Sequence, residues 1–271
     1  MKLDSTFVRT TLRLGVLAVA LLVGQNALAV GTRAGTDVTN TALVDYEVGG
    51  VPQQQLSADA DFVVDRRVDF TLSVTDTNLA PVVPGGPPAG DPDYYVEFTL
   101  TNTSNGVLDF NVALNQVLNV AFGANGDLDN VDFATVDYAV SADTVSGTNP
   151  DPVRGGAQFV DELDADEAIR IRVFADPQLG LANGDIAGMA LTVNGAEPGT
   201  PAVEGAPLVD GTDDPALIDN VFADTDGDNS ETAEDGFIVV TADLAVTKAF
   251  SVVAGDLGSG LPIPGATVEY T

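Results

Sequence analysis

The strongest constraint on the fold is a period-two alternation of apolar and polar residues that recurs along most of the chain. Such alternation is typical of β-strands with one buried face. Helical periodicity is almost absent after the first 29 residues. The apolar positions of the clearest runs are Ala42, Val44, Tyr46 and Val48; Val68, Phe70, Leu72 and Val74; Val96, Phe98 and Leu100; Leu108, Phe110, Val112 and Leu114; Ile169, Ile171 and Val173; and Met189, Leu191 and Val193.

Clusters of Gly, Pro, Asn and Asp separate these runs. Gly49-Gly50 predicts a hairpin turn into Val51, and residues 102–106 predict another turn. The proline- and glycine-rich residues 81–92 and 195–215 predict exposed loops. Many short strands joined by such turns predict an all-β protein built from antiparallel Ig-like β-sandwich modules.

The N-terminus predicts export. Lys2, Arg9 and Arg13 precede an apolar run at 14–23, and Ala27-Leu28-Ala29 follows as a small-x-small cleavage site. This is the pattern of a secretory signal peptide over residues 1–29. The alternative is a transmembrane anchor, but the apolar run is short of the roughly 20 residues that a spanning helix needs. We therefore expect a secreted or cell-surface protein, with no transmembrane span in the mature chain.

Composition restricts the function. The chain has 41 Asp and Glu against 10 Lys and Arg, a net charge of −31. Phosphate backbones repel such a protein, so nucleic-acid binding is not expected. The chain has no His and no Cys, which excludes Ser-His-Asp and Cys-His nucleophile systems and ordinary zinc sites. We therefore expect that the protein is not an enzyme.

The chain also repeats itself. Residues 96–99 (VEFT) are echoed by residues 268–271 (VEYT), an offset of 172, and the strand that starts at Asp69 has a counterpart near Asp243. Two matches at nearly one offset indicate a structural repeat. The predicted organisation is a signal peptide at 1–29, a β-hairpin segment at 30–65, one Ig-like sandwich module at 66–240, and the start of a second, truncated module at 241–271. On this interpretation the sequence is a fragment of a longer protein.

Four segments carry a resemblance to a known family: residues 39–46 (TNTALVDY), 98–103 (FTLTNT), 243–248 (DLAVTK) and 263–271 (IPGATVEYT). They resemble strands of the conserved-repeat family of prokaryotic secreted and surface proteins that is catalogued as a domain of unknown function. Residues 62–68 resemble the segment that links its modules. The resemblance implies Ig-like sandwiches without catalytic activity, and it is weaker across residues 115–235.

The sharpest local motif is an acidic loop that has the spacing of a calcium-binding loop. Carboxylates at loop positions one, three, five and twelve can converge on one hard cation, with a backbone carbonyl at position seven. The corresponding candidate ligands are Asp224, Asp226, Asp228, Ser230 and Asp235. Asn229 stands at position six in place of the usual glycine, and asparagine tolerates a left-handed conformation. The alternative is an acidic, solvated loop.

Two other acidic stretches have spacings found in functional sites. Residues 125–130 (NGDLDN) echo the calcium spacing, but position twelve falls on Val136, so a turn between strands is favoured. Residues 161–167 (DELDADE) contain the paired carboxylates that glycosidases use. No aromatic residue flanks this run and the chain has no Trp, so a solvated turn is favoured.

These observations leave four functional hypotheses. The leading one is a structural or adhesive module of a secreted or cell-surface bacterial protein, stiffened by Ca²⁺. The alternatives are a domain whose loops bind glycan or another protein, a filament subunit that self-associates through strand edges, and, last, a secreted hydrolase. Other surface components are the expected partners.

Overall fold

A computed structural model describes residues 31–87, 92–141, 150–241, 247–254 and 267–270. The signal-peptide prediction lies outside these residues, as does most of the predicted start of the second module. Within the described residues the chain is all-β and contains no helix, which confirms the predicted class. No helix in this part of the chain is long and apolar enough to cross a membrane.

Nineteen strands are described. In chain order they are β1 (Asp37–Val44), β2 (Glu47–Val48), β3 (Val51–Pro52), β4 (Leu56–Val63), β5 (Arg66–Val68), β6 (Phe70–Val74), β7 (Ala80–Val82), β8 (Tyr94–Asn102), β9 (Leu108–Gln116), β10 (Ala121–Phe122), β11 (Asp127–Leu128), β12 (Thr135–Val140), β13 (Phe159–Leu163), β14 (Ala168–Asp176), β15 (Ile186–Ala196), β16 (Asn220–Phe222), β17 (Ser230–Val239), β18 (Phe250–Ala254) and β19 (Thr267–Tyr270).

Two larger sheets form the body of the protein. One has four antiparallel strands in the order β12-β14-β8-β6, and the other has five in the order β13-β9-β15-β17-β7. All neighbours in the second sheet are antiparallel except β7, which runs parallel to β17. Strand β5 pairs with β16 in a short parallel ribbon beside the sheets.

The inner faces of the two sheets share one apolar core, in a sandwich-like arrangement. Phe98, Ile171, Leu191 and Phe237 are all fully buried within one cluster. The ring of Phe70, on the four-stranded sheet, meets Phe110, on the five-stranded sheet, edge to face with centroids 5.0 Å apart. The alternating runs that begin at Val68, Val96, Leu108, Ile169 and Met189 therefore supply the core, as their periodicity predicts.

The expected loop at 81–92 is partly wrong. Ala80–Val82 forms the edge strand β7, and Val82 is fully buried. Proline is tolerated at a sheet edge because its missing N–H removes no bond from an interior ladder. The rest of the stretch turns at Gly85 and Gly86, both with positive φ.

The outer face of the five-stranded sheet is covered by two excursions of the chain. The residues after β15 fold back, and Glu197 N–H donates to the Ala206 carbonyl. The hairpin of β10 and β11 places the Phe122 ring over Gly188 and Gly236, which are cross-strand partners on β15 and β17. The two glycines provide a flat surface on which the ring is 2% exposed.

Strands β1 and β4 pair through eight residues into a two-stranded ribbon at the N-terminal side of the body. Beyond it, β2 and β3 meet at Gly49-Gly50, both at positive φ, as the sequence predicts. The expectation of one buried face is wrong here: neighbouring Leu43 and Val44 are 58% and 54% exposed. No other strand in the described part of the chain pairs with the ribbon.

A second two-stranded ribbon lies at the C-terminal side, where β18 pairs antiparallel with β19. The repeat predicted a strand that starts near Asp243. Residues 242–246 lie outside the described part of the chain, and residues 247–249 are described without a strand. The predicted module boundaries stay predictions.

We predict that Gly188→Ala destabilises the protein by about 1–3 kcal/mol, because an added methyl group crowds a packed ring. A Cβ atom at residue 188 would lie 2.8 Å from the Phe122 ring. Urea unfolding of the single and double variants with Phe122→Ala measures the coupling. We expect Gly188→Ala to cost little in the Phe122→Ala background. Gly106→Ala, whose new Cβ meets only Ala34 at 3.6 Å, is the control. Equal costs in both backgrounds would contradict the packing argument.

Candidate functional site

The acidic loop between β16 and β17 closes on itself through hydrogen bonds from backbone N–H groups to its own carboxylates. Asp224 Oδ2 accepts the Asn229 N–H at 3.0 Å, and Asp228 Oδ1 accepts the Ser230 N–H at 3.1 Å. Asn229 has a φ of 60°, so the residue at position six does adopt the left-handed conformation. Its side-chain amide donates to the Gly195 carbonyl at 2.8 Å, which ties the loop to β15.

The carboxylates of the loop repel Glu231, a neighbour that is not among the predicted ligands. The pKa of Glu231 is raised, first by burial and then by repulsion from Asp224, Asp226 and Asp228. Asp224 Oδ1 is buried without a hydrogen-bond partner. Three of the five candidate ligands therefore lie close enough to Glu231 to repel its carboxylate. A fourth, Ser230, is the first residue of β17.

The fifth candidate, Asp235, does not join this group. It lies on β17 opposite Met189, five residues beyond Ser230, which is about 17 Å along an extended strand. A calcium loop needs its twelfth residue to fold back, whereas the chain here has already entered the sheet. In the described residues no three Asp, Glu, His or Cys side chains converge in a geometry that would hold a metal. Calcium binding at this loop stays a prediction.

Asp235 instead occupies a core-facing position of the five-stranded sheet. It lies on the same face of β17 as Phe237 and Val239, which are fully buried, and is itself 6% exposed. Its Oδ1 atom accepts the N–H of Gly236 at 2.8 Å. Strand β7 covers only Phe237 to Val239, so the edge of β17 is open beside Asp235.

A cavity of about 470 Å³ opens at this point. It lies where the two sheets meet, between the end of β6, the start of β7, and β8, β14 and β17. Its lining combines charged, polar and apolar side chains: Thr75, Asp76, Asn78, Leu79, Ala80, Pro81, Tyr95, Val96, Glu97, Arg172 and Asp235.

Burial raises the pKa of Asp235 to about 6, and repulsion from Asp76 and Asp127 adds to the shift. The hydrogen bond from Gly236 opposes it only in part. A carboxyl group with a shifted pKa that lines a cavity is a reasonable candidate for a functional site.

Arg172 is the cation in the cavity lining, and it is already engaged. Its Nε atom donates to Glu97 Oε2 at 2.8 Å, and its Nη2 atom lies 3.1 Å from Asp151 Oδ2. Its guanidinium group also stacks on the Tyr95 ring, 4.0 Å from the centroid. These contacts fix Arg172 as a wall of the cavity.

The run at 161–167 divides between a strand and a turn. Its first three residues end β13, and Asp164 accepts a backbone bond from Glu167 in a turn. The prediction of a solvated turn is therefore wrong for Asp161. Its Oδ2 accepts the Ala202 N–H at 2.8 Å, and its charge helps to raise the pKa of Asp109 after the larger effect of burial.

Asp109 and Asn111 hold the same covering loop on the outer face of β9. Asp109, 1% exposed, accepts the Glu162 N–H at 2.8 Å, where Glu162 stands in a bulge with a φ of 51°. Asn111 donates to Glu204 at 2.7 Å. Asp109 and Asp161 accept backbone N–H groups, and Glu204 accepts the side-chain amide of Asn111, which is a structural arrangement.

The weaker calcium echo at 125–130 forms the turn that was favoured for it. Gly123 and Gly126 take positive φ between β10 and β11. Asp129 is 2% exposed and accepts the backbone N–H groups of Asn119 and Gly188, both at 2.9 Å. Its carboxylate is thereby occupied in holding the hairpin to β15.

The sequence alone does not reveal the cavity, because its lining comes from four strands and the segment after β6, which are distant in the chain. One signal was present. The alternation of β17 places Asp235 where a core residue is expected, two positions before Phe237. Because a buried carboxylate is costly unless it is compensated, a carboxyl group at a core position indicates either a partner within the protein or a bound ligand.

Comparisons with known proteins give no family. No family model and no curated protein matches the chain. Among solved structures, a family 123 glycoside hydrolase from Clostridium perfringens, studied for glycolipid glycan hydrolysis, aligns at a TM-score of 0.34 and 10% identity over 64% of this chain. The chain spans about a quarter, 27%, of that enzyme. AvmM, which catalyses macrocyclization in alchivemycin A biosynthesis, aligns at a TM-score of 0.27 and 15% identity, covering 76% of this chain and 100% of AvmM. Neither likeness is close enough to carry an argument about function.

We predict that Asp235→Asn stabilises the protein at high pH and not at low pH. The folded-state pKa of about 6 lies above the ordinary 3.8, so the folded state binds this proton more tightly than the unfolded state. Stability is lost as pH rises from about 4 to about 6 and stays lower above that. Removing the charge should raise the free energy of unfolding by about 1–2 kcal/mol at pH 8, a value reduced to allow for screening by solvent, and should change it very little at pH 4. Urea unfolding at the two pH values measures the difference, with exposed Asp213→Asn as the control. A pH-independent effect would contradict the assignment.

Proposed function

We propose that this chain is a structural or adhesive module of a secreted or cell-surface bacterial protein, without enzymatic activity. In this proposal the two-sheet body is an Ig-like sandwich that serves as a spacer. The ribbon of β1 and β4 makes contact with neighbouring copies. The signal-peptide pattern, the acidity and the resemblance of residues 39–46 and 98–103 to surface-protein repeats support this function.

The observation that carries the proposal is the ribbon. It exposes apolar side chains on both faces, and each of its strands has one edge without a strand partner among the described residues. A lone two-stranded ribbon is marginally stable in water, and an open edge is a template for pairing with another chain. Such an element gains stability when a partner covers it.

Charge controls when that contact forms. The two strands of the ribbon carry Asp37, Asp59 and Asp61 and no basic residue. Two copies of a chain with a net charge of −31 repel each other at low ionic strength. Salt shortens the range of this repulsion to a few ångströms near 1 M. Self-association through the ribbon is therefore expected in a saline medium.

The ribbon prediction is tested by sedimentation velocity over a range of protein concentrations. We expect monomers at low salt and concentration-dependent association in about 1 M NaCl. The triple variant Leu43→Ser, Val44→Ser and Leu56→Ser should abolish the association, because it removes exposed apolar surface of the ribbon without adding charge. A matched control replaces three other exposed apolar residues outside the ribbon: Val153→Ser, Leu179→Ser and Val209→Ser. A monomer under all conditions, or equal effects of both variants, would refute the contact role.

We also propose that Ca²⁺ stabilises the loop at 224–230. Asp224, Asp226 and Asp228 would supply carboxylate oxygens, with the Ser230 carbonyl, and Glu231 lies in their field. The bound ion would neutralise the repulsion between these groups and favour the folded state. These oxygen ligands are of the type that Ca²⁺ prefers. Asp235 lies too far along β17 to be a fifth ligand.

Calcium binding is tested by thermal unfolding with and without Ca²⁺. Millimolar Ca²⁺ should raise Tm by a few degrees, as expected when a ligand binds only the folded state. Asp224→Ala combined with Asp226→Ala should abolish the rise, whereas Asp235→Asn should leave it unchanged. An unchanged Tm in the unmutated protein rejects calcium. Loss of the rise in Asp235→Asn rejects the placement of Asp235 outside the loop.

A further inference from the structure

Asp235 is a carboxyl group at a core position without a cation. Its side chain is 6% exposed, and none of the ion pairs among the described residues involves it. Its one hydrogen bond comes from the backbone of the next residue. An ionised carboxylate in such a place costs free energy unless a partner compensates it. A residue placed there for packing alone would be apolar, like Phe237.

The cavity in front of Asp235 is large enough to admit a partner from outside. Its volume of about 470 Å³ falls within the usual range for small-ligand sites. The cavity exists because β7 begins only at Ala80, opposite Phe237, and leaves the stretch of β17 before Phe237 uncovered. Of the two aspartates in its lining, Asp235 is buried and Asp76 is exposed.

The charges that face Asp235 favour a cation. Asp76, after β6, and Asp127, on β11, both raise its pKa by repulsion. Glu97, on β8, and Arg172, on β14, also line the cavity and pair with each other at 2.8 Å. Because Arg172 is held by Glu97, Asp151 and Tyr95, the carboxyl groups of Asp235 and Asp76 stay without a counter-ion in the described structure.

We propose that this cavity binds an ammonium or guanidinium group, with Asp235 as its buried counter-ion. The group would come from a basic side chain of a partner protein or from a small free amine. Both sources offer a positive charge, several N–H donors and an apolar stem. The stem would pack against Leu79, Pro81 and Val96 of the lining.

Other ligand classes fit less well. An anion would face Asp235, Asp76 and Glu97. A neutral sugar brings hydrogen bonds but does not compensate a buried charge. A calcium ion needs six to eight oxygens, whereas the carboxyl groups of this lining are Asp235, the exposed Asp76 and Glu97, and Glu97 is already paired with Arg172. A charge-assisted bond from N–H to carboxylate is the strongest hydrogen bond that this geometry offers.

The protonation of Asp235 gives the site a pH dependence. The cation binds the ionised carboxylate, whereas the free protein protonates Asp235 with a pKa of about 6. Affinity should therefore be constant above pH 7 and fall by about tenfold per pH unit well below 6. A binding site made only of surface carboxylates would keep its affinity down to about pH 4.

The proposal is tested by isothermal titration calorimetry on the purified chain at pH 8 and pH 5. The probes are Nα-acetyl-lysine amide, Nα-acetyl-arginine amide and 1,4-diaminobutane, with Nα-acetyl-norleucine amide as the uncharged match for the lysine probe. Glucose and CaCl₂ are titrated in parallel. The variants are Asp235→Asn, which keeps the shape of the side chain, and exposed Asp213→Asn as the control. Circular dichroism confirms that each variant is folded.

We expect the charged probes to bind at pH 8, to weaken at pH 5, and to lose affinity about tenfold or more in Asp235→Asn. The norleucine probe should not bind, and Asp213→Asn should behave like the unmutated protein. Tighter binding of the two amino-acid amides than of the diamine identifies a protein side chain as the source, and the reverse order identifies a free amine. No heat with any amine overturns the proposal, as does binding of glucose or Ca²⁺ that depends on Asp235. The result is independent of the ribbon experiment, which does not involve this cavity.

Discussion

The packing of the two inner sheet faces is the contact on which the rest of the structure depends. Each sheet presents one apolar face, and neither face can be buried without the other. The Phe70 and Phe110 rings join the two layers near their centre, and the buried cluster draws residues from both larger sheets. The chain contains no cysteine, so no disulfide shares this task. Loops, ribbons and the cavity are placed by where this sandwich begins and ends.

Alternation is a local property of a strand, and it shows that the strand has one apolar face. It therefore predicted the inner faces of the sheets well, but it could not show that the apolar face of the ribbon is left uncovered. Ala42, Val44 and Tyr46 alternate as regularly as Val96, Phe98 and Leu100, but only the second set meets an opposing layer. Whether an apolar face is covered depends on contacts between distant segments. Likewise, Pro81 signals a loop from its chemistry, whereas its edge position in the sheet makes a strand possible.

The candidate site shows the same division between local and non-local information. The left-handed conformation of Asn229 follows from its own residue type and from the turn that it closes. The grouping of Asp235 with Asp224 required the intervening chain to coil, but Ser230 begins a strand that extends about 3.4 Å per residue. Spacing in sequence therefore converts to distance only when the secondary structure is known. The lining of the cavity, drawn from β6 to β17, had no signature within any one segment.

Electrostatics joins the proposals into one physical picture. A chain with a net charge of −31 disperses most of that charge in solvent, where salt screens it. At Asp235 the sheet holds a carboxyl group away from solvent, so screening by salt is weak there. Under the two proposals, the exposed ribbon and the buried carboxyl group would respond to different conditions. Ionic strength would govern the approach of apolar surfaces, and a positively charged group in the cavity would govern specificity. The ribbon alone would associate without selectivity in saline surroundings, and the cavity would supply the discrimination that the ribbon lacks.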